Sequence, residues 1–137
     1  HMHKDFTIRA AEAGVHVLCE KPMAITESEC LAMIHACDRN AVKLMIAYRL
    51  HFEEANLQAI ELIKSGQIGE PRIFTSVFTQ QVKPGDIRLQ KATGGGTLDD
   101  IGIYCINAAR YLFQDEPIEV FATSARKSEE RFREVAE

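Results

Sequence analysis

The 137-residue sequence has no apolar run of the roughly 20 residues that a membrane-spanning helix requires. No basic-then-apolar segment opens it as a secretion signal would. Both absences fit a cytoplasmic protein if the N-terminal His1-Met2 is native. Four cysteines are present (Cys19, Cys30, Cys37 and Cys105), but there is no CxxC pair and no zinc-ligand spacing. A site built from His1, His3 and a cysteine is the one metal arrangement conceivable, and no metal is expected. Each cysteine falls at an apolar position of an expected strand or helix, so reduced, buried thiols are the natural reading. A strong charge of one sign is missing as well. Sixteen Lys and Arg stand against twenty Asp and Glu, and the basic residues are scattered. That balance argues against a nucleic-acid-binding or anionic-membrane face. Internal repeats and low-complexity segments are also absent.

What is present reads as an ordinary globular composition, long enough to bury a core. Residues 3–13 predict a short helix stopped by Gly14. Residues 15–19 (VHVLC) are almost wholly apolar, the pattern of a strand covered on both faces in a parallel sheet. Glu20-Lys21-Pro22 follows, and the proline biases Lys21 away from helix. A lysine at the C-terminal end of such a strand lies where open α/β sheets bind ligands. Thr26-Glu27-Ser28-Glu29 is a capping box that opens a helix to about residue 38, with Cys30, Met33, Ile34 and Cys37 as its buried stripe. Residues 42–48 (VKLMIAY) predict a second covered strand, followed by Arg49 and His51.

Beyond Arg49 the pattern changes. Residues 52–65 predict a helix with Phe52, Ala55, Ala59, Leu62 and Ile63 on one side and Gly66 at its end. Residues 72–81 (RIFTSVFTQQ) and 118–125 (IEVFATSA) alternate as half-buried strands do. The segment from 127 to 137 is charged and has no clear stop signal. The expected architecture is α/β followed by α+β, with an organisational boundary near residue 48. Two covered strands are too few for an independent doubly wound domain, so the chain is expected to be incomplete at both ends.

Residues 94–112, GGGTLDDIGIYCINAARYL, carry the densest chemistry. Thr97 is a good N-cap, and Asp99 and Asp100 suit the positive end of a helix. Leu98, Ile101, Cys105, Ala108 and Leu112 form an apolar stripe; Asp100, Tyr104, Asn107 and Tyr111 form a polar one. The spacing alone is equally that of a capped core helix with incidental polar residues. Gly94 and Gly96 make a GxG, but Asp99 stands at the third glycine position of a dinucleotide fingerprint and a loop precedes it. The run therefore suits close backbone packing better than a phosphate cradle.

HVLCEKPMA followed about seventy residues later by GGGTLDDIGIYCINAARYL resembles the glucose–fructose oxidoreductase, inositol dehydrogenase and MocA family. LMIAYRLHFEEAN, SGQIGEP and EPIEVFA extend the likeness over nearly the whole chain. DIGIY…N…RYL resembles most the glucose–fructose oxidoreductase branch; many other members have histidine where Tyr104 stands. The resemblance implies that residues 1–48 are the end of a Rossmann-type NAD(P)-binding domain. Residues 49–137 would then begin an open mixed or antiparallel sheet domain that binds substrate and joins subunits into a homo-oligomer.

The resemblance further implies a hydride transfer between NADP or NAD and a sugar, polyol or related hydroxyl or carbonyl. Lys21, Asp100 and Tyr104 would be catalytic. Glu20, Lys21, Pro22, Arg49 and Arg88 would lie on the cofactor side, with a cis bond before Pro22, and only the nicotinamide half of the cofactor site would be present. Either arginine is equally readable as a surface ion pair, and His51 as a capping or packing residue. His3 matches a family histidine, although the PN dipeptide that precedes it in many relatives is missing. Oxidising a hydroxyl requires a base for its proton, and an ammonium beside a phenol favours the phenolate. Tyr104 is thus expected as acid/base, Lys21 as the electrostatic and positioning group, and Asp100 as the orienting carboxylate. The alternatives are a catalytically inactive, sheet-mediated dimerisation piece and a sugar-binding relative without turnover.

Overall fold

The computed structural model describes residues 2–124, 130 and 133–135. Its first part is a βαβ unit with a helix in front. Helix α1 (His3–Glu12) leads through Gly14, at φ +74°, into strand β1 (Val17–Cys19). Helix α2 (Glu27–Arg39) then carries the chain to strand β2 (Leu44–Ile46), which pairs parallel to β1 in the register Val17–Leu44, Leu18–Met45 and Cys19–Ile46. A parallel pair needs such a crossover, because a short turn cannot bring two strands alongside in the same direction.

The start of α2 follows its local sequence. Thr26 is extended, and its side chain accepts the Glu29 amide at 3.3 Å. The Glu29 carboxylate returns to the Ile25 amide at 3.2 Å, one residue earlier than in the usual capping box. Helices α1 and α2 pack together through Ala11, Ala36 and Cys37, and Val42 closes the same core with Ile8 and Leu44 at its edge. Small residues at this contact let the two backbones come close.

The two strands are not covered on both faces, which corrects the sequence expectation. Leu18 is 70% exposed and Met45 46%, and the register sets them side by side. Successive strand residues point to opposite sides. The side bearing Cys19 faces the helices, and the Leu18–Met45 side is only partly covered among the described residues. An apolar run reports that a strand is built to be covered; it does not supply the cover.

After β2, a 3-10 turn (Arg49–Phe52) leads to helix α3 (Glu54–Lys64). Phe52 therefore precedes the helix, and it is exposed, as are Ala55 and Leu62. The face turned inward runs through Asn56, Ala59, Ile60 and Ile63 instead, with Ile60 buried. Of the expected stripe, Ala59 and Ile63 turn inward, while Phe52, Ala55 and Leu62 do not.

Residues 71–82 and 117–124 run without strand pairing among the described residues, so the expected strands at 72–81 and 118–125 are not formed there; Ala125 lies outside the described residues. Alternation prepares a segment for a ladder, but a strand exists only when a neighbour accepts its hydrogen bonds. Ile73, Val77, Ile118, Val120 and Phe121 are all strongly exposed. The open mixed sheet of the second region is accordingly not present among the described residues. Most of the charged segment 127–137 also lies outside them.

Two short 3-10 turns (Ile87–Leu89 and Lys91–Thr93) bring the chain to the glycines, and a π-helical turn (Leu98–Gly102) opens helix α4 (Ile103–Phe113). Thr97 already has helical angles, φ −61° and ψ −39°, so it is not the N-cap its sequence suggests. A π turn holds more residues than an α turn, which rotates its side chains relative to those that follow. Leu98, expected inside, is consequently 63% exposed, while Ile101 is buried.

Candidate active site

The site forms where the end of β1 meets the first turn of α4. Glu20, exposed on the turn, accepts the Lys21 amide with its own carboxylate at 3.2 Å. The Lys21–Pro22 peptide is cis. One ring nitrogen of His3, at the start of α1, lies 2.9 Å from the Pro22 carbonyl oxygen. These contacts tie the Glu20-Lys21-Pro22 turn to the rest of the α/β unit and direct the lysine side chain across to the second region.

There Lys21 Nζ meets Asp100 twice. It donates to the backbone oxygen at 2.5 Å and to Oδ1 at 2.8 Å, and the two side chains are only 15% and 17% exposed. The other carboxylate oxygen, Oδ2, accepts from Arg88 Nε at 2.6 Å. Arg88 is itself anchored to Asp86, whose Oδ1 accepts the Arg88 amide at 2.9 Å and lies 3.4 Å from Nη1. Burial pushes the Asp100 carboxyl up, but hydrogen bonds and charge from Lys21 and Arg88 outweigh it and hold the group below the ordinary carboxylate value. The bond to Asp100 raises Arg88 in turn. Asp100 is therefore an ionised, doubly occupied carboxylate.

Tyr104, one turn beyond Asp100, lies under the same ammonium. Lys21 Nζ stands 5.0 Å from the centre of its ring, over the π face, a cation–π arrangement. The ring is fixed by Tyr48, edge-on with centroids 6.2 Å apart, and by Phe78 at 5.7 Å. A hollow of about 310 Å³ opens beside it, bordered by Phe78, Asn107 and Tyr111 among others.

The glycines explain how the helix start comes so near the Arg88 loop. A Cβ on Gly95 would lie 2.4 Å from the Arg88 carbonyl oxygen and 2.7 Å from that of Gln90. Gly96 has φ +136°, which side chains of L-residues rarely adopt. Gly95 thus faces carbonyl oxygens rather than an anion, which suits close packing and not a pyrophosphate cradle.

Of the sequence-predicted residues, Lys21, Asp100, Tyr104 and Arg88 come together, with Glu20 and Pro22 in the turn that carries Lys21. Arg49 does not join them: its side chain is exposed and pairs with Glu53 at 3.1 Å. His51 packs between Phe52 and Tyr111, each with ring centroids 4.8 Å away. Sequence reasoning missed Asp86, Tyr48 and Phe78. Asp86 had a usable signal, an acidic residue closing a Pro-Gly turn two places before Arg88. The aromatic neighbours had none, since their contacts with Tyr104 depend on how distant elements pack. No group of His, Cys, Asp and Glu among the described residues is arranged to hold a metal; His1 lies outside them.

Two family models match the chain. Residues 1–48 match the oxidoreductase family with an NAD-binding Rossmann fold, and residues 56–137 match the GFO/IDH/MocA C-terminal domain. The D-xylose 1-dehydrogenase [NADP(+)] of Haloarcula marismortui is 38% identical over 94% of this chain and 38% of its own length. The levoglucosan dehydrogenase of Pseudarthrobacter phenanthrenivorans is 36% identical over 82% of this chain and 30% of its own. Among solved structures, the aldose-aldose oxidoreductase from Caulobacter crescentus, complexed with glycerol, superposes with a TM-score of 0.86 at 44% identity, covering 98% of this chain and 41% of that one. The chain thus spans about two fifths or less of the length of these relatives.

Proposed function

Since the chain belongs to the GFO/IDH/MocA oxidoreductase family, we propose that it carries the proton-handling side of an NAD(P)-dependent oxidoreductase acting on a sugar, polyol or related hydroxyl or carbonyl. The observation that carries this reading is the Lys21 ammonium held between Asp100 and the ring of Tyr104. The D-xylose, levoglucosan and aldose relatives favour a sugar-like substrate.

The nicotinamide cofactor, when bound, accepts or delivers the hydride. The residues here fit its nicotinamide side, because a cation at the end of a parallel strand is where such sheets meet ligands. Glu20, Lys21 and Pro22 would border that side. Arg49 and Arg88 are the other cofactor-side candidates, although Arg88 is already engaged by two carboxylates. The sequence contains no GxGxxG, and the Gly95 packing leaves no cradle for phosphate.

In this mechanism Tyr104 exchanges the proton of the substrate hydroxyl, and Lys21, held over its ring, supplies positive charge at the site of that exchange. Asp100 orients Lys21. Both of its carboxylate oxygens are occupied by cations, which makes it a poor proton carrier. Turnover of a Tyr104→Phe variant in a catalytically active preparation tests the assignment: a fall of about 100-fold or more is expected with the fold retained, and an unchanged turnover number overturns it.

We further read residues 1–48 as the end of the Rossmann domain and 49–137 as the start of the open-sheet domain, a division supported by where the two family models match. The exposed apolar residues Ile73, Val77, Val120 and Phe121 favour a sheet that joins subunits into an oligomer. They equally favour the second reading, a non-catalytic interaction piece, which retained turnover would exclude. The four free cysteines agree with a cytoplasmic place.

A further inference from the structure

Asp100 meets cations from two distant parts of the chain, Lys21 on Oδ1 and Arg88 on Oδ2. Arg88 is held from three directions: its guanidinium and its amide both contact Asp86, and its carbonyl oxygen packs where Gly95 has no Cβ. An arginine serving only as a surface charge does not need its backbone and side chain pinned together. We infer that Arg88 is a positioning residue: by gripping one oxygen of Asp100 it aims the other at Lys21 and so keeps the ammonium over the Tyr104 ring. This deepens, and rests on, the reading of Lys21 and Tyr104 as groups of the active site.

The geometry suits the task. The planar guanidinium reaches Asp100 through Nε and Asp86 through Nη1, so rotation of the Asp100 carboxylate breaks a bond at a fixed donor. A lysine at position 88 would bring the charge but not the two-point grip. The charges in contact around Asp100 are Lys21 from the strand end and Arg88, itself paired with Asp86, from the 3-10 loop; Glu20 and Asp99 are their acidic neighbours in sequence. Of these acids, Asp99 and Glu20 are exposed. If Arg88 merely tied its loop to the π turn, Lys21 would not respond to its removal.

The test is an NMR titration of the 137-residue chain without substrate or cofactor. Because Lys21 Nζ stands 5.0 Å from the centre of the Tyr104 ring, protons on the adjoining Cε are expected upfield of those of the other lysines; Lys21→Arg assigns them by their disappearance. On acidification of the wild type, the Lys21 signal and the Arg88 Nε–H signal are expected to move together as Asp100 takes up its proton. In Arg88→Gln the upfield displacement of Lys21 shrinks at neutral pH, and what remains collapses at a higher pH, because the carboxylate has lost one of its two cations. Arg88→Lys restores part of both effects.

The inference is overturned if a folded Arg88→Gln chain leaves the Lys21 signal and its pH dependence unchanged. It is overturned equally if the two wild-type signals titrate independently, an outcome that needs no variant. Neither readout involves turnover, so failure of the proposed hydride-transfer activity in the Tyr104→Phe assay is a separate result.

Discussion

At the scale of single residues, Asp100 is the point on which the site turns. Its carboxylate is mostly buried and is stabilised by Lys21 and Arg88 against a desolvation cost that acts the other way. Asp100→Asn removes the charge and leaves two cations without it, and is expected to cost about 1–3 kcal/mol, read as a lower urea midpoint at neutral pH. The pH dependence follows from the direction of the shift. Because the folded-state value is lowered, the stabilisation is complete above the ordinary carboxylate range and disappears as the pH falls through the lowered value. The difference in midpoint between the parent chain and Asp100→Asn should therefore be full near pH 7 and shrink in strong acid. A difference that stayed constant over that range would contradict the pairing. Lys21, Asp100 and Tyr104 were legible in the sequence, Asp100 by its place one turn before Tyr104 on the polar stripe; that Arg88 grips the second oxygen of Asp100 was not, because that contact depends on how the 3-10 loop packs against the π turn.

At the scale of elements, local signals and tertiary signals separate cleanly. Helix α2 begins where Thr26 says it should, and Thr26→Ala is expected to lower stability by about 1 kcal/mol, measured as a drop in thermal midpoint by circular dichroism. Thr97 carries the same signal and does not cap, because the chain enters α4 through a glycine turn and a π-helical first turn. That entry depends on Gly95. In Gly95→Ala the new Cβ would overlap backbone carbonyl oxygens of Arg88 and Gln90, which cannot rotate away as a side chain would. A loss of about 1–3 kcal/mol is expected in the same melting experiment. A neutral Gly95→Ala would mean that the loop carrying Arg88 does not pack as described.

At the scale of the whole molecule, the described core is small and lies between α1, α2 and one side of the two strands. Cys19 and Cys37 are buried in that region, and burial pushes both thiols up, away from the reactive thiolate form. A thiol reagent at neutral pH should label Cys19 and Cys37 slowly in the folded chain and all four cysteines promptly in denaturant. Fast labelling of Cys37 in the native chain would argue against the α1–α2 packing. The opposite side of the strands, with Leu18 and Met45 outward, shows the limit of reading burial from hydrophobicity. VHVLC and VKLMIAY state how apolar each strand is, but not which described element covers it.

The sequence by itself determined the order of helices and parallel strands in the first part, the cap of α2, the place of Lys21 just beyond a strand, and the family to which the chain is similar. Period and capping chemistry are decided within a few residues, and the family likeness by motifs met in order along the chain. Only the tertiary structure decided that Asp100 lies between Lys21 and Arg88, that the ammonium meets the face of the Tyr104 ring, and which sides of α3 and α4 turn inward. The reason is distance along the chain: Lys21 and Asp100 are separated by 79 positions, and no local pattern carries the orientation of one element against another.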